Sequence, residues 1–327
     1  MNEKTLQFIC VSGFGYSGSG AVIDILGEFD SHYVFNKEFR LIKDPDGIID
    51  LEDALVNNWQ ELKSDIAIRR FRRLINVTGR KQKLFSKFGY NFNEIFNNQF
   101  YAYEEDYINE LVDIQWKGDW PYHLHEFNWL KLFFYRLKRS FGLNPYEKDI
   151  MYFSYPGEKF YITTKIYLNN LFLNIVDCEK YNTVVLDQAL PPYRPQKYLD
   201  YFHKVKIIVV DRDPRDVFVE LSQFPSYPSQ PVERFIKYFK CQRNAVTNAS
   251  KSNNVLQLKF EDLIFNYENI LKKIYNFLGF NEYHHSKKMM FFQPKKSLNN
   301  FGKWKEWKAL DDIQKIEKEL SPFLYNN

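Results

Sequence analysis

Short apolar runs bounded by polar residues recur along this chain and predict the strands of a buried sheet. Five runs, rich in β-branched side chains, are the candidates: Phe8–Val11, Tyr33–Phe35, Thr183–Leu186, Lys206–Val210 and Val255–Leu258. Helical patterns lie between them. This alternation predicts an α/β fold, in which a central parallel sheet is covered by helices on both faces. Ligands of such folds bind at the carboxyl ends of the strands.

The stretch from about 50 to 155 carries helical patterns and little strand signal, so we interpret it as a mainly helical insertion within a single domain, 1–327. Between Lys63 and Lys87, nine basic residues accompany one acid, Asp65. They predict either a solvated helix face or a surface for an acidic polysaccharide or lipid headgroup. Trp129–Phe141 mixes apolar and basic residues, and both a core-packed helix and a membrane-surface helix stay open for it.

A glycine-rich loop follows the first predicted strand. Residues 11–26 read VSGFGYSGSGAVIDIL, and four of the chain's thirteen glycines fall at 13, 15, 18 and 20. Such a loop turns backbone N–H groups inward around a phosphate, and the following helix adds partial positive charge. The Gly13-x-x-x-x-Gly18 spacing is that of a nucleotide-phosphate loop. Ser19 and Gly20 stand where an ATP-binding loop has Lys and Ser/Thr, which points away from ATP chemistry.

A second candidate site follows the strand in KIIVVDRDPRDVFVELSQF. There Arg212 leads into a helix that Pro214 and two acids are suited to begin. Its guanidinium faces the same crevice as the glycine loop and can make a bidentate contact to a second phosphate. The alternative is a surface cluster of Arg and Asp that only caps the helix.

Two further segments carry candidate chemistry. In Asn36–Arg40, Glu38 can take a proton from an acceptor hydroxyl, while Lys37 and Arg40 neutralise developing charge. An ordinary surface ion-pair cluster is the alternative. In NNFGKWKEW, residues 299–307, glycine, lysine and tryptophan suit a loop that clamps a phosphate or stacks a base, although a tryptophan here is also explained by packing.

Composition narrows the function classes. The net charge of +4 is too mild to indicate nucleic acid. Three widely spaced cysteines predict buried thiols in a reducing compartment. His123, His125, His284 and His285 lack a complementary ligand set, so no metal is predicted, and His125 stays open as a rival base. The N-terminus MNEKTLQF has no apolar signal core and no apolar run spans a membrane, which together predict a cytoplasmic protein.

Taken together, these four segments resemble the sulfotransferase family, which uses 3′-phosphoadenosine 5′-phosphosulfate (PAPS) as sulfuryl donor and releases 3′-phosphoadenosine 5′-phosphate (PAP). The resemblance covers roughly 6–40 and 160–307, and it is to bacterial, carbohydrate-sulfotransferase-like members of P-loop type. It extends to FEDL at 260–263 and to the helix that ends with FLG at 277–279.

The resemblance implies a role for each segment. The loop holds the 5′-phosphosulfate, Arg212 binds the 3′-phosphate, Glu38 is the general base with Lys37 beside it, and the C-terminal segment closes on the cofactor. The implied cofactor-binding residues are Gly15, Tyr16, Ser17, Gly18, Ser19, Gly20, Arg212, Ser222, Gly302, Lys303 and Trp304. Arg40 and Lys165 are the candidate acceptor-binding residues.

Two positions depart from the family pattern. Tyr16 stands where many members have the lysine that neutralises the leaving phosphate, so the loop amides, Lys37 or Lys165 would have to serve. Glu220 stands where members have a serine eight residues after the phosphate-binding arginine. Ser222 is a candidate substitute, although two helical residues rotate it by about 200°.

The resemblance therefore implies a sulfotransferase that acts on a hydroxyl-bearing acceptor, and the aromatic and basic composition favours a saccharide or glycolipid. A small phenol or alcohol and a tyrosyl peptide stay open as acceptors. Peripheral contact with a membrane stays open as well. Two alternatives remain: a non-catalytic nucleotide- or glycan-binding member of the same fold, which the two departures favour, and a P-loop phosphotransferase, which the missing Lys-Ser/Thr pair disfavours.

Overall fold

A computed structural model describes residues 4–82, 89–118, 127–142, 149–247, 252–280 and 282–326. The chain forms two compact units. The first consists of Met1–Asp44 and Leu168–Asn327, and the second of Pro45–Tyr167. The insertion predicted at about 50–155 falls within the second unit.

The first unit contains a five-stranded sheet in the order β2-β5-β1-β6-β7, in which every neighbouring pair is parallel. Its strands are β1 (Gln7–Gly13), β2 (His32–Glu38), β5 (Thr183–Asp187), β6 (Lys204–Asp211) and β7 (Val255–Lys259). Each contains one of the five apolar runs, so the strand prediction is confirmed. The α/β fold class with a central parallel sheet is confirmed with it.

Helices connect these strands or follow the last of them. They are α1 (Ser19–Gly27), the end of α7 (Lys159–Leu173), α8 (Pro214–Leu221), α9 (Val232–Thr247), α10 (Phe260–Phe265), α11 (Tyr267–Leu278), α12 (Pro294–Ser297) and α13 (Leu310–Glu319). Short 3₁₀ helices span Pro195–Tyr201, Glu282–His284, Leu298–Asn300, Lys303–Glu306 and Ser321–Phe323.

The central strand β1 shows why helices cover both faces of the sheet. Successive side chains of a strand point to opposite faces. Ile9 belongs to the core cluster that includes Ile25 of α1 and Ile274 of α11. The ring of Phe8 instead contacts Phe172 of α7, with the ring centroids 5.6 Å apart. Apolar burial on both faces explains why the strands read as continuous apolar runs.

The second unit, Pro45–Tyr167, contains helices and a pair of strands. Its elements are α2 (Ile48–Glu52), a π-helix (Asp53–Asn57), α3 (Glu61–Gly79), α4 (Phe92–Ile95), α5 (Phe100–Leu111), β3 (Ile114–Gly118), α6 (Trp129–Ser140), β4 (Asp149–Phe153) and the beginning of α7. Much of the predicted basic run lies on α3. There Arg69 pairs with Asp65 at 3.0 Å, while residues 83–88 of the run lie outside the described residues.

The antiparallel pair β3–β4 was not predicted, because the sequence shows little strand signal there. Four of the five residues of β3 are exposed, so the strand has no buried face. β4 is held from outside the sheet, since the Asp65 carboxylate accepts a hydrogen bond from the Tyr152 amide at 2.9 Å. Contacts of this kind carry no local sequence signal.

Three further expectations can be compared with the structure. Cys10 is buried, but Cys241 is exposed and Cys178 is half-buried, so the prediction of buried thiols is wrong for two of the three. Trp129–Ser140 is helical, but only Tyr135 of that helix is buried, which contradicts the core-packed interpretation. In the described parts of the chain, no helix is both long and apolar enough to cross a membrane.

Candidate functional site

The loop between β1 and α1 takes its shape from two positions that have no side chain. A Cβ atom on Gly13 would lie 2.2 Å from Ser17 Oγ, and one on Gly18 would lie 2.4 Å from the ring of Phe260. Ser17 Oγ accepts a hydrogen bond from the Phe14 amide at 3.2 Å. Gly18 also has φ +86°, a conformation that favours glycine. The chain can therefore fold tightly over the end of the sheet.

The loop leaves a row of backbone donors unengaged. Across the described ranges, no hydrogen bond uses the amide N–H of residues 15–20. α1 begins within this row, and no side chain caps it. Amides at a helix N-terminus bind anions, because the free N–H groups and the helix dipole act together. The loop can therefore hold a phosphate or sulfate group, as the sequence predicts for 15–20.

Tyr16 adds an aromatic surface to this loop in place of a cation. Its ring stacks on Phe224, with centroids 4.9 Å apart, and meets Tyr227 edge-on at 5.9 Å. Tyr16 has φ 52° and its side chain is partly exposed. A partly exposed ring pair beside anion-binding amides is suited to stacking a planar base or a sugar ring.

A cluster of polar residues lies where β2 and β5 end, next to the loop strand β1. Glu38 and Asp187 are paired residues of adjacent parallel strands. Beyond β2 the chain turns, and Lys43 Nζ donates to Gln188 Oε1 at 2.6 Å. Gln188 Nε2 donates to Ser19 Oγ at 3.1 Å. A lysine is thus connected through one amide side chain to the first residue of α1.

The surroundings within this cluster shift the pKa values of two residues, Asp187 and Lys43. Burial, together with repulsion by Glu38, raises the pKa of Asp187 to about 6. Burial and the nearby Arg40 guanidinium lower the pKa of Lys43 to about 8, although the neighbouring carboxylates oppose this. Groups with opposite shifts in one crevice are typical of functional sites.

Arg40 forms ion pairs with two carboxylates at the edge of this cluster. Its guanidinium donates to Asp44 at 2.8 Å and to Glu38 at 3.3 Å. The Glu38 side chain keeps about half of its surface exposed, 49%. Glu38 can therefore be reached by an acceptor hydroxyl while Arg40 restrains it.

Arg212 is buried, with 6% of its side chain exposed, and it binds backbone groups. Its guanidinium donates to the Tyr16 carbonyl at 3.1 Å and to the Asn300 carbonyl, and it lies over the Phe260 ring. Its Nε has no partner among the described residues. In this arrangement Arg212 joins the glycine loop to the C-terminal segment, while its predicted contact to a 3′-phosphate stays a prediction.

The carboxylates of Asp216 and Glu220 accept hydrogen bonds from the C-terminal segment, residues 299–307. The amides of Gly302 and Trp304 donate to Asp216 at 2.9 and 3.3 Å. Lys303 Nζ donates to Glu220 Oε1 at 2.6 Å, and that oxygen lies 4.0 Å from Arg212 Nη2. A phosphate at this end of the crevice would compete with Glu220 for both cations.

The remaining candidates are placed as follows. Ser222 Oγ donates to the carbonyl of Phe218 at 2.8 Å, within its own helix turn. Lys37 is exposed on β2, and Lys165 belongs to α7 in the second unit, so both roles stay predictions. His123 and His125 lie outside the described residues. Among those described, no group of His, Cys, Asp or Glu could hold a metal ion.

Sequence reasoning missed Lys43, Asp187 and Gln188. Asp187 directly follows the predicted strand Thr183–Leu186, at the edge of the sheet where ligands bind, and this position was the available signal. Lys43 lies in a turn after β2, and only the fold brings it to the loop.

Among the comparisons with known proteins, the one with solved structures finds similar chains. No family model matches the sequence, and no curated protein matches it. Among solved structures, the sulfotransferase domain of the Synechococcus PCC 7002 olefin synthase is 15% identical with a TM-score of 0.45, covering 100% of this chain and 98% of that one. The sulfotransferase domain from the curacin biosynthetic pathway is 15% identical with a TM-score of 0.41, covering 98% and 99%.

A third similar structure is retinol dehydratase, in complex with androsterone and the inactive cofactor PAP. It is 15% identical with a TM-score of 0.38, covering 99% of this chain and 83% of that one. Two of these three structures are sulfotransferase domains. The fold and the site described above stand on the chain's own strands and contacts.

Replacing Gly18 by alanine is expected to destabilise the first unit by at least about 2 kcal/mol. The alanine backbone would have to adopt the left-handed conformation of Gly18, and its Cβ would collide with the Phe260 ring. Gly20 is the matched control, since a Cβ there meets nothing within 4 Å. Gly20→Ala should change stability by less than about 1 kcal/mol. Urea unfolding of both variants checks this, and equal effects would contradict the packing argument.

Glu220→Ser is expected to raise affinity for PAP about tenfold, because it frees Lys303 and Arg212 from an internal carboxylate. Affinity for adenosine 5′-monophosphate, which lacks the 3′-phosphate, should change little. Calorimetry with both nucleotides measures the difference. Glu306→Ser removes an equal charge from an exposed position nearby and serves as control. An equal rise for both nucleotides would mean that Glu220 acts only through general charge.

Proposed function

We propose that this chain is a PAPS-dependent sulfotransferase that transfers a sulfuryl group to a hydroxyl of a saccharide or glycolipid. The observation that carries the proposal is the row of unengaged amides at residues 15–20, together with the Lys43–Gln188–Ser19 connection that brings a cation to the same helix end. Gly20 lacks the hydroxyl with which a nucleotide kinase loop binds magnesium. Sulfuryl transfer needs amides and cations around the group, and a sulfuryl group carries less charge than a phosphoryl group.

PAPS, the sulfuryl donor, fits the glycine-loop end of the crevice better than the end near Glu220. At the loop, free N–H donors match the 5′-phosphosulfate. At the far end, Arg212, predicted for the 3′-phosphate, and Lys303, predicted for the C-terminal cofactor loop, already contact Glu220. PAPS supplies an activated sulfuryl group when bound. The loop amides would hold its 5′ end, and the rings of Tyr16 and Phe224 offer a surface for its base.

In the proposed reaction, Glu38 takes the proton of the acceptor hydroxyl. A bond forms between the acceptor oxygen and sulfur, and the bond between sulfur and the phosphate oxygen breaks. PAP and a sulfate ester are the products. Lys43 and the loop amides stabilise the charge that develops on the leaving phosphate. Asp187 lies beside Lys43 and Glu38, and we assign it the role of keeping Lys43 charged.

A non-catalytic nucleotide-binding role is the second candidate, and two observations favour it. Tyr16 replaces the expected loop cation with a ring, and Glu220 competes for the second anion position. Such a protein would bind PAP and turn over no acceptor.

Transfer of the sulfuryl group to an acceptor distinguishes a sulfotransferase from a non-catalytic nucleotide-binding protein. With labelled PAPS and a panel of saccharide and glycolipid acceptors, we expect transfer by the wild type. Glu38→Gln should lower kcat by about 10²–10⁴-fold while leaving the affinity for PAP unchanged, since a general base contributes on this scale. Binding of PAP without transfer to any acceptor would support the non-catalytic role. Tight binding of only ATP–magnesium would instead indicate a phosphotransferase.

The pH dependence of kcat tests Lys43 and Asp187. Asp187 is ionised above its raised pKa of about 6, and Lys43 is charged below its lowered pKa of about 8. If the Lys43 charge is needed, kcat falls through about pH 8. Lys43 is charged over the whole range in which Asp187 titrates, so Asp187 should add no acid limb of its own.

In Lys43→Arg the guanidinium stays charged, so the alkaline limb should move well above pH 8. Lys43→Met should lose about 10²–10³-fold in kcat. Asp187→Asn should move the alkaline limb to lower pH, because Asp187 no longer helps to keep Lys43 charged. An unchanged alkaline limb in Lys43→Arg would assign that limb to another group.

A further inference from the structure

Helix α6 (Trp129–Ser140) presents its apolar side to solvent, the reverse of an ordinary surface helix. Tyr135 is the only residue of this helix that is buried. A helix packed on a protein core normally buries its apolar stripe and exposes its polar side. Here the large rings stand out into solvent. The exposed fractions are 75% for Trp129, 56% for Phe133, 56% for Phe134 and 72% for Phe141, which ends the helix.

The exposed apolar side chains share one arc of the helix. At about 100° per residue, Trp129, Leu130, Phe133, Phe134, Leu137 and Phe141 fall within about 140°. We call these six residues the apolar arc. Tyr135 lies about 170° from the centre of the arc, so the buried contact and the arc are on opposite sides of the helix. The arc therefore does not contribute to the core of the second unit.

Basic residues border the apolar arc on both sides. Lys131 and Lys138 lie at one edge and Arg136 lies at the other, each within about 60° of the arc. Arg139 is the fourth cation, and the sequence of the helix, WLKLFFYRLKRS, contains no acid. All four cations are exposed. The charge pattern argues against a second copy of this helix as the occupant, because pairing two arcs would bring four positive charges against four.

We propose that α6 is a membrane-docking helix that lies in the interface of a bilayer rich in anionic lipid, with the apolar arc inserted among the acyl chains. Aromatic rings and leucines on one side, with lysine and arginine at the borders, are the composition of helices that lie in the plane of a membrane surface. The bordering cations meet lipid phosphates, which supplies the charge complementarity. The proposal does not depend on the sulfotransferase reaction.

Vesicle co-sedimentation of the full chain tests the proposal. We expect binding to phosphatidylcholine vesicles that contain phosphatidylserine, weakened by salt, and much weaker binding to phosphatidylcholine alone. Phe133→Ser/Phe134→Ser should lower binding at least about tenfold, because each ring contributes buried apolar area in the bilayer. Serine and phenylalanine have similar helix propensities, and circular dichroism checks that the fold is kept.

Two further variants sharpen the result. Tyr283→Ser removes another highly exposed aromatic side chain, 91% exposed, from outside α6, and should leave vesicle binding unchanged. Lys131→Gln/Lys138→Gln should reduce binding to the anionic vesicles only. The proposal is overturned if the wild type binds no vesicles, or if Phe133→Ser/Phe134→Ser binds as well as the wild type. It is also overturned if that double variant converts a dimer into a monomer without any vesicle binding, which would make the arc an interface between copies.

Discussion

The buried guanidinium of Arg212 is the contact on which the arrangement of the first unit depends most. It follows β6 directly, donates to the carbonyl of Tyr16 in the glycine loop and to Asn300 in the C-terminal segment, and lies over the ring of Phe260. A cation taken out of water is tolerated only where such partners satisfy it. Its carbonyl contact restrains the loop at Tyr16. With that carbonyl engaged, the N–H groups of the loop are left for an anion.

The two ends of the crevice differ in whether their hydrogen-bond donors are already engaged. At the loop end, the donors are backbone amides that have no acceptor among the described residues, so an anion could occupy them without displacing any of these. At the other end, Asp216 and Glu220 already accept from the C-terminal segment. That segment is therefore held in place by the same donors that a second phosphate would need. The loop end of the crevice could take an anion directly. At the other end, a phosphate would first have to displace Asp216 or Glu220 from their hydrogen bonds.

The sequence predicts those parts of the fold whose signal is local. The strands are apolar runs because helices bury both faces of the sheet, and the glycine loop is visible because Gly13 and Gly18 have no room for a Cβ. The pair β3–β4 is not predictable in this way, since β3 is almost wholly exposed. Lys43 is missed for another reason. Its contact with Gln188 joins residues 145 positions apart, and only the order β2-β5-β1 makes them neighbours.

That strand order determines where the charge of the site lies. Because β5 is next to β1, the residues that follow β5 lie against the beginning of α1, and Gln188 reaches Ser19. Because β2 is next to β5, the turn after β2 brings Lys43 to the same Gln188. The same adjacency sets Glu38 beside Asp187. Burial together with Glu38 raises the pKa of Asp187, and both carboxylates oppose the loss of charge from Lys43. A lysine inside the loop would be fixed by the loop itself. A lysine that arrives through a neighbouring strand leaves the loop position open for the ring of Tyr16 and is tuned by the carboxylates around it.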